Sequence, residues 1–151
     1  MKVIKIIVLL LILICLLSGK LIAQDINVYN MIGRKLNDVI KIYGKPVHQD
    51  KSNPDMVCTF YKGDDGTMTF VSDNKGVYQA ETYKSYGSPG TARSDINNSI
   101  SKALSDGFKC DTVSIDDFEL IKTGVKSTLQ VNKNKITNKT DIHAKAVRTE
   151  G

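Results

Sequence analysis

The fold is decided by residues 31–46, which read Met31-Ile-Gly-Arg-Lys-Leu-Asn-Asp-Val-Ile-Lys-Ile-Tyr-Gly-Lys-Pro46. Apolar side chains recur at the i, i+3, i+4, i+7 spacing of one helix face, at Leu36, Val39, Ile40 and Tyr43. Gly44 can adopt the left-handed conformation that ends a helix, and Pro46 cannot continue one. The stretch therefore predicts a short amphipathic helix that must bury its stripe against a sheet. It carries no catalytic signature.

Residues 1–23 have the order of a secretory signal peptide. Lys2 and Lys5 precede an unbroken apolar run over residues 6–17, and the small Ala23 suits the position before a cleavage site. The run is short for a helix that spans a membrane. We therefore expect cleavage after Ala23 and an exported chain, periplasmic or secreted, that is soluble. The alternative is an uncleaved leader that anchors the protein.

The charge of the chain gives little support to a nucleic-acid partner. Loss of the leader removes three lysines and lowers the formal net charge from +5 to +2. The basic residues near the end of the chain lack interleaved aromatic residues and are interpreted as a solvated strand face. They are Lys133, Lys135, Lys139, Lys145 and Arg148. We expect no nucleic-acid partner, and membrane contact only through an uncleaved leader.

The rest of the chain predicts two similar units. After a polar loop at 47–55, three alternating strand patterns are separated by Asp/Asn/Gly turns at 63–66 and 73–76. A turn-rich connector at 85–90 precedes a second helix, which Ser94 would cap and Gly107 would end. Strand patterns follow at 108–115, 118–123, 125–132 and about 140–149. The last is polar on both faces in places, which indicates an edge strand.

This order predicts an α+β fold with two pseudo-duplicated helix-plus-antiparallel-meander units, αβββ-αβββ(β), whose helices cover one sheet face. The half-units would span about 24–86 and 90–151 of a single exported domain at 24–151.

Two cysteines, Cys58 and Cys110, remain after the leader is removed. An even count in an exported chain suggests a disulfide bond, which would close a loop of about fifty residues and stabilise the fold by roughly 4 kcal/mol. Two free, buried thiols are the alternative, and the sequence does not choose between them.

The spacing Gly-x4-Asp-Val-x2-Ile-x-Gly-x-Pro resembles the signature of the BamE-like (SmpA/OmlA) outer-membrane lipoproteins. The beta-lactamase inhibitory protein shares a similar helix-on-sheet unit. The matching residues are Gly33, Asp38, Val39, Ile42, Gly44 and Pro46. The capping Thr or Ser of the family is replaced by Lys35, and its lipid-attachment cysteine has no counterpart. The resemblance implies an exported α+β module that binds other proteins without catalysis.

The sequence predicts no catalytic residue, no metal site and no cofactor. His48 lies near Asp50 and Asp55, but no second His or Cys has ligand spacing, so a solvated loop is the preferred interpretation. The pairs Asp64-Asp65 and Asp73-Asn74 are typical of hairpin turns and lack the pattern of a calcium loop. No Gly-x-Ser-x-Gly elbow is present.

The candidate binding residues are four tyrosines in the strand patterns that follow the first helix. Tyr61 lies on the first of the three strand patterns after the helix, and Tyr78, Tyr83 and Tyr86 lie on the third. On an uncovered sheet face they would supply contact area with little loss of entropy, and at the core edges they would only pack. We expect a non-catalytic module of the cell envelope or exterior that binds another protein. The alternatives are an envelope assembly factor held by its leader and a hydrolase that uses His48.

Overall fold

The computed structural model describes residues 25–150, so the predicted leader lies outside the described residues. In chain order the elements are a 3₁₀ turn (Val28–Met31), α1 (Leu36–Tyr43), β1 (His48–Asp50), β2 (Val57–Gly63), β3 (Gly66–Asp73), β4 (Gly76–Tyr86), α2 (Pro89–Ser105), β5 (Lys109–Thr112), β6 (Asp117–Lys122), β7 (Val125–Lys133) and β8 (Thr140–Arg148). Within the described residues, neither helix is long and apolar enough to cross a membrane.

The helix predicted at residues 36–43 is confirmed as α1. Its Val39 and Tyr43 side chains are buried, and the Tyr43 ring lies 5.4 Å from the Phe70 ring of β3. Gly44 ends the helix with a φ of 80°, and its N–H donates to the Ile40 carbonyl at 2.8 Å. The left-handed conformation that a glycine tolerates is therefore used where the sequence predicted it.

The eight strands form one antiparallel sheet with the order β1-β2-β3-β4-β8-β7-β6-β5. Strand β8 pairs with β4 on one side and with β7 on the other. Its alternate residues Thr140, Ile142, Ala144 and Ala146 are buried. The interpretation of this segment as an edge strand is therefore wrong, because the strand is paired on both sides, and its polar residues Asp141, His143 and Lys145 lie on the opposite face.

The predicted fold class, two helix-plus-meander units, is also wrong. Because β8 joins β4 to β7, the two meanders merge into a single sheet that makes up most of the described structure. Residues 48–50, predicted as loop, add a further strand at one edge. The fold is thus one eight-stranded sheet with two helices, and the half-units are not separate layers.

The N-terminal segment, interpreted as a short strand or lead-in, covers much of the sheet centre. The side chains of Ile26, Val28, Tyr29 and Met31 are buried in the same core as β4 and β8. Beyond them, the Gly33 N–H donates to the Val77 carbonyl and the Val77 N–H donates to the Arg34 carbonyl, each at 2.8 Å. These two hydrogen bonds attach the segment to the start of β4.

Helix α2 begins earlier than predicted. Ser88 is its N-cap and accepts a hydrogen bond from the Thr91 N–H at 3.2 Å, and Pro89 occupies the first turn. The connector was interpreted as loop because Pro and Gly are common there, although Pro is also favoured at the first helical position. Gly107 follows the helix with a φ of 86°, as predicted. Leu104, expected in the buried stripe, is exposed.

Candidate functional site

The two faces of the sheet differ in what packs on them. The buried residues of the 3₁₀ turn, α1 and α2 all belong to one core cluster on one face, which we call the covered face. Side chains at the alternate positions point to the other side, which we call the open face. Across its centre the paired residues run Thr67, Tyr83, His143, Gln130 and Asp117 in one row, and Thr69, Glu81, Lys145, Thr128 and Glu119 in the next.

A cluster of three side chains lies at the centre of the open face. Tyr83 of β4 pairs with His143 of β8, and the two rings stack with centroids 4.1 Å apart and planes within 3°. Glu81 Oε1 lies 2.5 Å from His143 Nε2 and accepts a hydrogen bond from the Tyr83 hydroxyl at 3.3 Å. Tyr83 is nevertheless 49% exposed. The stack and the carboxylate thus hold an accessible aromatic ring in one orientation.

Desolvation raises the pKa of the Tyr83 hydroxyl, and the Glu81 charge and hydrogen bond add to this effect. The hydroxyl therefore keeps its proton, which it donates to Glu81 Oε1. A Tyr ring with a protonated hydroxyl combines apolar area with a polar tip, which is the combination that recognition surfaces use.

A small pocket of about 230 Å³ adjoins this cluster. It is lined by Val113, Asp117, Phe118, Glu119, Thr128 and Gln130. Gln130 is the neighbour of His143 in the β7–β8 register, so the pocket continues the row that contains the stacked rings. Glu119 also forms a 2.9 Å ion pair with Lys126. The open face therefore has a stacked pair of aromatic rings at its centre, next to a pocket that is lined by both polar and apolar side chains.

The side-chain contacts of His143 are the hydrogen bond to Glu81 and the stack on Tyr83. A His–Glu pair can act as a general base when it activates a nucleophile within hydrogen-bond reach. Within residues 25–150, no serine, threonine or cysteine side chain hydrogen-bonds to His143. The Glu81 carboxylate instead orients the two rings.

The four candidate tyrosines are not brought together. Tyr61 is buried, packs on Phe70 and donates its hydroxyl hydrogen bond to the Gly44 carbonyl at 3.1 Å. Tyr78 is half-buried, with the Arg148 guanidinium 5.7 Å from its ring. Tyr83 alone of the four lies in the central cluster of the open face.

Tyr86 is buried at the end of β4, where its hydroxyl donates to Asp95 Oδ2 at 2.6 Å. Lys84 Nζ lies 3.1 Å from the same oxygen. Burial strongly raises the pKa of Tyr86, and the hydrogen bond to Asp95 adds to the effect. The contacts join β4 to α2, so the role of this tyrosine is structural.

The two remaining cysteines are free thiols. Cys58 lies on β2 and Cys110 on β5, which are six strands apart in the sheet order, or roughly 29 Å at the usual strand spacing. A disulfide needs Cα atoms within about 7 Å, so the pair cannot be bridged within one chain. Of the two alternatives from the sequence, the structure therefore has free thiols, and both are half-buried.

His48 lies at the sheet edge on β1, where it stacks on the Phe60 ring with centroids 5.7 Å apart. The nearby Asp50 carboxylate accepts a hydrogen bond from the Ser52 N–H at 2.9 Å, and this bond lowers its pKa. Within residues 25–150, no group of three or more His, Cys, Asp or Glu side chains is placed to hold a metal ion.

No family model matches the chain, and no curated protein matches it. A similar solved structure is the 1.5 Å crystal structure of an extracellular protein containing a SCP domain from Bacillus anthracis str. Ames. The two chains are 12% identical with a TM-score of 0.45, and the match covers 79% of this chain and 44% of that chain. This chain therefore spans less than half the length of that protein.

The predicted kinship with the BamE-like and beta-lactamase inhibitory protein-like superfamily is wrong. No family model supports it, and the single eight-stranded sheet differs from the two helix-plus-meander units expected with the resemblance. The matching residues describe a helix and its two ends: Gly33 and Gly44 both have a φ of 80°, and Val39 is buried between them. Ile42 is exposed, so the spacing does not mark a shared core. Such a pattern can arise in any fold that needs a short helix.

The sequence did not indicate that His143 and Glu81 would meet in one cluster. Both alternate with buried residues, which marks them as outward-facing, but their meeting depends on the pairing of β4 with β8. No local pattern specifies a pairing between strands that are more than fifty residues apart.

Proposed function

We propose that this protein is an exported, non-catalytic module that binds another protein through the open face. The observation that carries the proposal is the exposed Tyr83 ring, stacked on His143 at the centre of a sheet face on which neither helix packs. Because Glu81 and His143 already fix the ring, little side-chain entropy remains to be lost on binding. Aromatic side chains of this kind contribute most of the energy at many protein interfaces.

Export is the part of the proposal that rests on the leader. Residues 1–23 have the order of a signal peptide, and the folded core begins at Ile26. Intact mass of the protein recovered after expression in a secreting host tests this part. A mass that begins at Gln24 supports release, whereas retention of residues 1–23 favours the anchored alternative.

Site-specific photo-crosslinking tests the binding face. A photoreactive residue at the exposed Gln130, beside the central cluster, is compared with one at the exposed Asn97 on α2. We expect a specific protein adduct from position 130 that is lost in Tyr83→Ala and kept in Tyr78→Ala. Equal adducts from both positions, or an adduct that survives Tyr83→Ala, would contradict the proposal.

A further inference from the structure

One end of the sheet exposes three large aliphatic side chains on its turns. Val113 and Ile115 lie in the β5–β6 turn and are 65% and 79% exposed, and Ile136 in the β7–β8 turn is 97% exposed. The turns are at the same end because the Val131 N–H, near the end of β7, donates to the Asp116 carbonyl at 2.8 Å. We call these two turns, residues 113–116 and 133–139, the turn end.

The β5–β6 turn is held in place by polar contacts that leave its apolar side chains outside. Arg93 of α2 donates from Nη1 to the Ile115 carbonyl at 2.8 Å and from Nη2 to Asp116 Oδ1 at 2.5 Å. The Ser114 hydroxyl donates to Asp117 Oδ2 at 2.8 Å. The backbone is thus fixed while Val113 and Ile115 point to solvent.

The β7–β8 turn is built in the same way. Asn134 Oδ1 accepts hydrogen bonds from the N–H groups of Ile136 and Thr137 at 3.0 and 3.1 Å. The Asn134 side-chain amide donates to Asp141 Oδ2 at 3.0 Å, which ties the turn to β8. Ile136 therefore stands at the tip of an ordered turn, where exposure of an aliphatic side chain is unfavourable in water.

Three exposed lysines flank Ile136 along the same turn. They are Lys133, Lys135 and Lys139. None of them forms an ion pair with another residue of 25–150, whereas the acidic Asp116 at this end is paired with Arg93. Asp64 and Asp65 lie in the β2–β3 turn at the same end of the strands, on the other side of β4, where the Ser85 N–H donates to the Asp65 carbonyl at 2.7 Å. The turn end thus combines aliphatic tips with unpaired positive charge.

We propose that the turn end docks on an anionic lipid bilayer surface. Aliphatic side chains on a rigid turn can enter the headgroup region, and flanking lysines contact anionic headgroups while their stems stay along the apolar boundary. A groove on a protein would also accept exposed aliphatic side chains. The three lysines without ion pairs that flank Ile136 favour instead a surface with distributed negative charge. This adds a membrane contact that does not use the leader, and it does not depend on the open-face proposal.

Vesicle flotation tests the proposal on the chain from Gln24 onward, which keeps every residue of the described core and lacks the apolar leader that would itself bind lipid. The vesicles are phosphatidylglycerol mixed with phosphatidylcholine, and pure phosphatidylcholine is the comparison. We expect binding to the anionic vesicles only, and weaker binding as salt rises. Ile136→Asp lowers the vesicle affinity by about tenfold or more. Joint substitution of Lys133, Lys135 and Lys139 by Gln lowers it on the order of a hundredfold.

Matched controls lie at the opposite end of the sheet. Met56→Asp replaces an exposed apolar residue there, and joint substitution of Lys51, Lys75 and Lys109 by Gln removes the same charge. Both controls keep most of the binding, and circular dichroism confirms that all variants fold. The proposal is overturned if the triple variant of Lys51, Lys75 and Lys109 loses as much vesicle affinity as the triple variant of the turn end, because the attraction would then be unspecific. It is also overturned if the protein binds pure phosphatidylcholine vesicles equally well. Absence of vesicle binding also overturns the proposal. If the vesicles are not bound and Ile136→Asp abolishes crosslinking to a protein at this end, the proposal is overturned in favour of a protein partner.

Discussion

On β4, Ala80 and Thr82 are fully buried, while Glu81 and Tyr83, each one residue further along, face away from the core. The same contrast runs along β8, where Ala144 is fully buried and His143 lies beside Tyr83. One face of these strands therefore holds the fold together, and the other is free to carry recognition. Side chains alternate between the two faces along a strand. A substitution can therefore change the open face while the core residue at the next position stays the same.

The strongest test of this contrast compares two phenylalanines on opposite faces. Phe70 is fully buried on the covered face, and we expect Phe70→Ala to lower the free energy of unfolding by about 3–5 kcal/mol. Phe60 is half-buried on the open face, and Phe60→Ala is expected to cost less than about 1.5 kcal/mol. Urea unfolding monitored by circular dichroism measures both. Similar losses for the two variants would show that the open face is packed as well.

The attachment of the N-terminal segment to the covered face can be tested at Gly76. This residue has a φ of 120°, and an added Cβ would lie 2.7 Å from the Arg34 carbonyl oxygen. Gly76→Ala therefore adds a clash to backbone strain, and we expect a loss of about 3 kcal/mol. Gly124→Ala is the control, since its φ of 82° is also positive but nothing lies within 4 Å of an added Cβ, and a loss of about 1 kcal/mol is expected. Thermal unfolding distinguishes them, and equal shifts would argue that the contact with Arg34 does not matter.

Two tyrosine hydroxyls of β4 sharpen the contrast further. Tyr86→Phe removes a buried 2.6 Å hydrogen bond to the Asp95 carboxylate, which costs about 1.5–2 kcal/mol of unfolding free energy. Tyr83→Phe removes a 3.3 Å hydrogen bond at an exposed site, and its effect is expected to be within about 0.5 kcal/mol. Denaturant titration of both variants measures these changes in the free energy of unfolding. A larger loss for Tyr83→Phe would reverse the assignment of the two faces.

Asp95 gives the covered face a dependence on pH. Burial opposes ionisation of this carboxyl, but hydrogen bonds from Tyr86 and Lys84 outweigh it and lower the pKa below the ordinary 3.8. A folded-state pKa below the unfolded one adds stability above the unfolded pKa, and that stability is lost as pH falls through the folded pKa. We expect Asp95→Asn to lower the unfolding midpoint above about pH 5 and to converge with the wild type near pH 2. A constant difference across this range would contradict the assignment.

Tyr83→Ala is also expected to have a small effect on stability, because the side chain is half exposed, stacks on His143 and makes one 3.3 Å hydrogen bond to Glu81. A change below about 1 kcal/mol is expected in denaturant unfolding, together with loss of the crosslinked adduct from the open face. Loss of fold instead of loss of binding would show that the stacked pair belongs to the stability of the sheet.

The local elements were readable from the sequence because their signals are local. The 36–43 helix carries its own stripe and its own stop at Gly44, and the hairpin turns carry Gly with Asp or Asn. What joins the strands was not readable. The burial alternation of β8 does not state that its partners are β4 and β7, and this one pairing decides the sheet order, the position of His143 and the separation of Cys58 from Cys110.

The candidate site was readable only in part for the same reason. Tyr83 was selected as one of four tyrosines, since residue type favours all of them equally. Only the tertiary structure distinguishes the Tyr83 ring, which lies on the open face, from Tyr61 and Tyr86. These two are buried, and their hydroxyls donate hydrogen bonds to the Gly44 carbonyl and to Asp95.

The central position of β8 has a consequence for biosynthesis. The last strand of the sequence is inserted between β4 and β7 and packs beneath the segment from Val28 to Met31, so the two ends of the chain meet in the core. A nascent chain that lacks residues 140–148 leaves β4 and β7 each with an unpaired edge and has an incomplete core, even if all of its hairpins have formed. Such long-range closure is slow and delays stable folding until residues 140–148 are available to pair. Loss of this strand would leave β4 and β7 with unpaired edges, which are sites of aggregation.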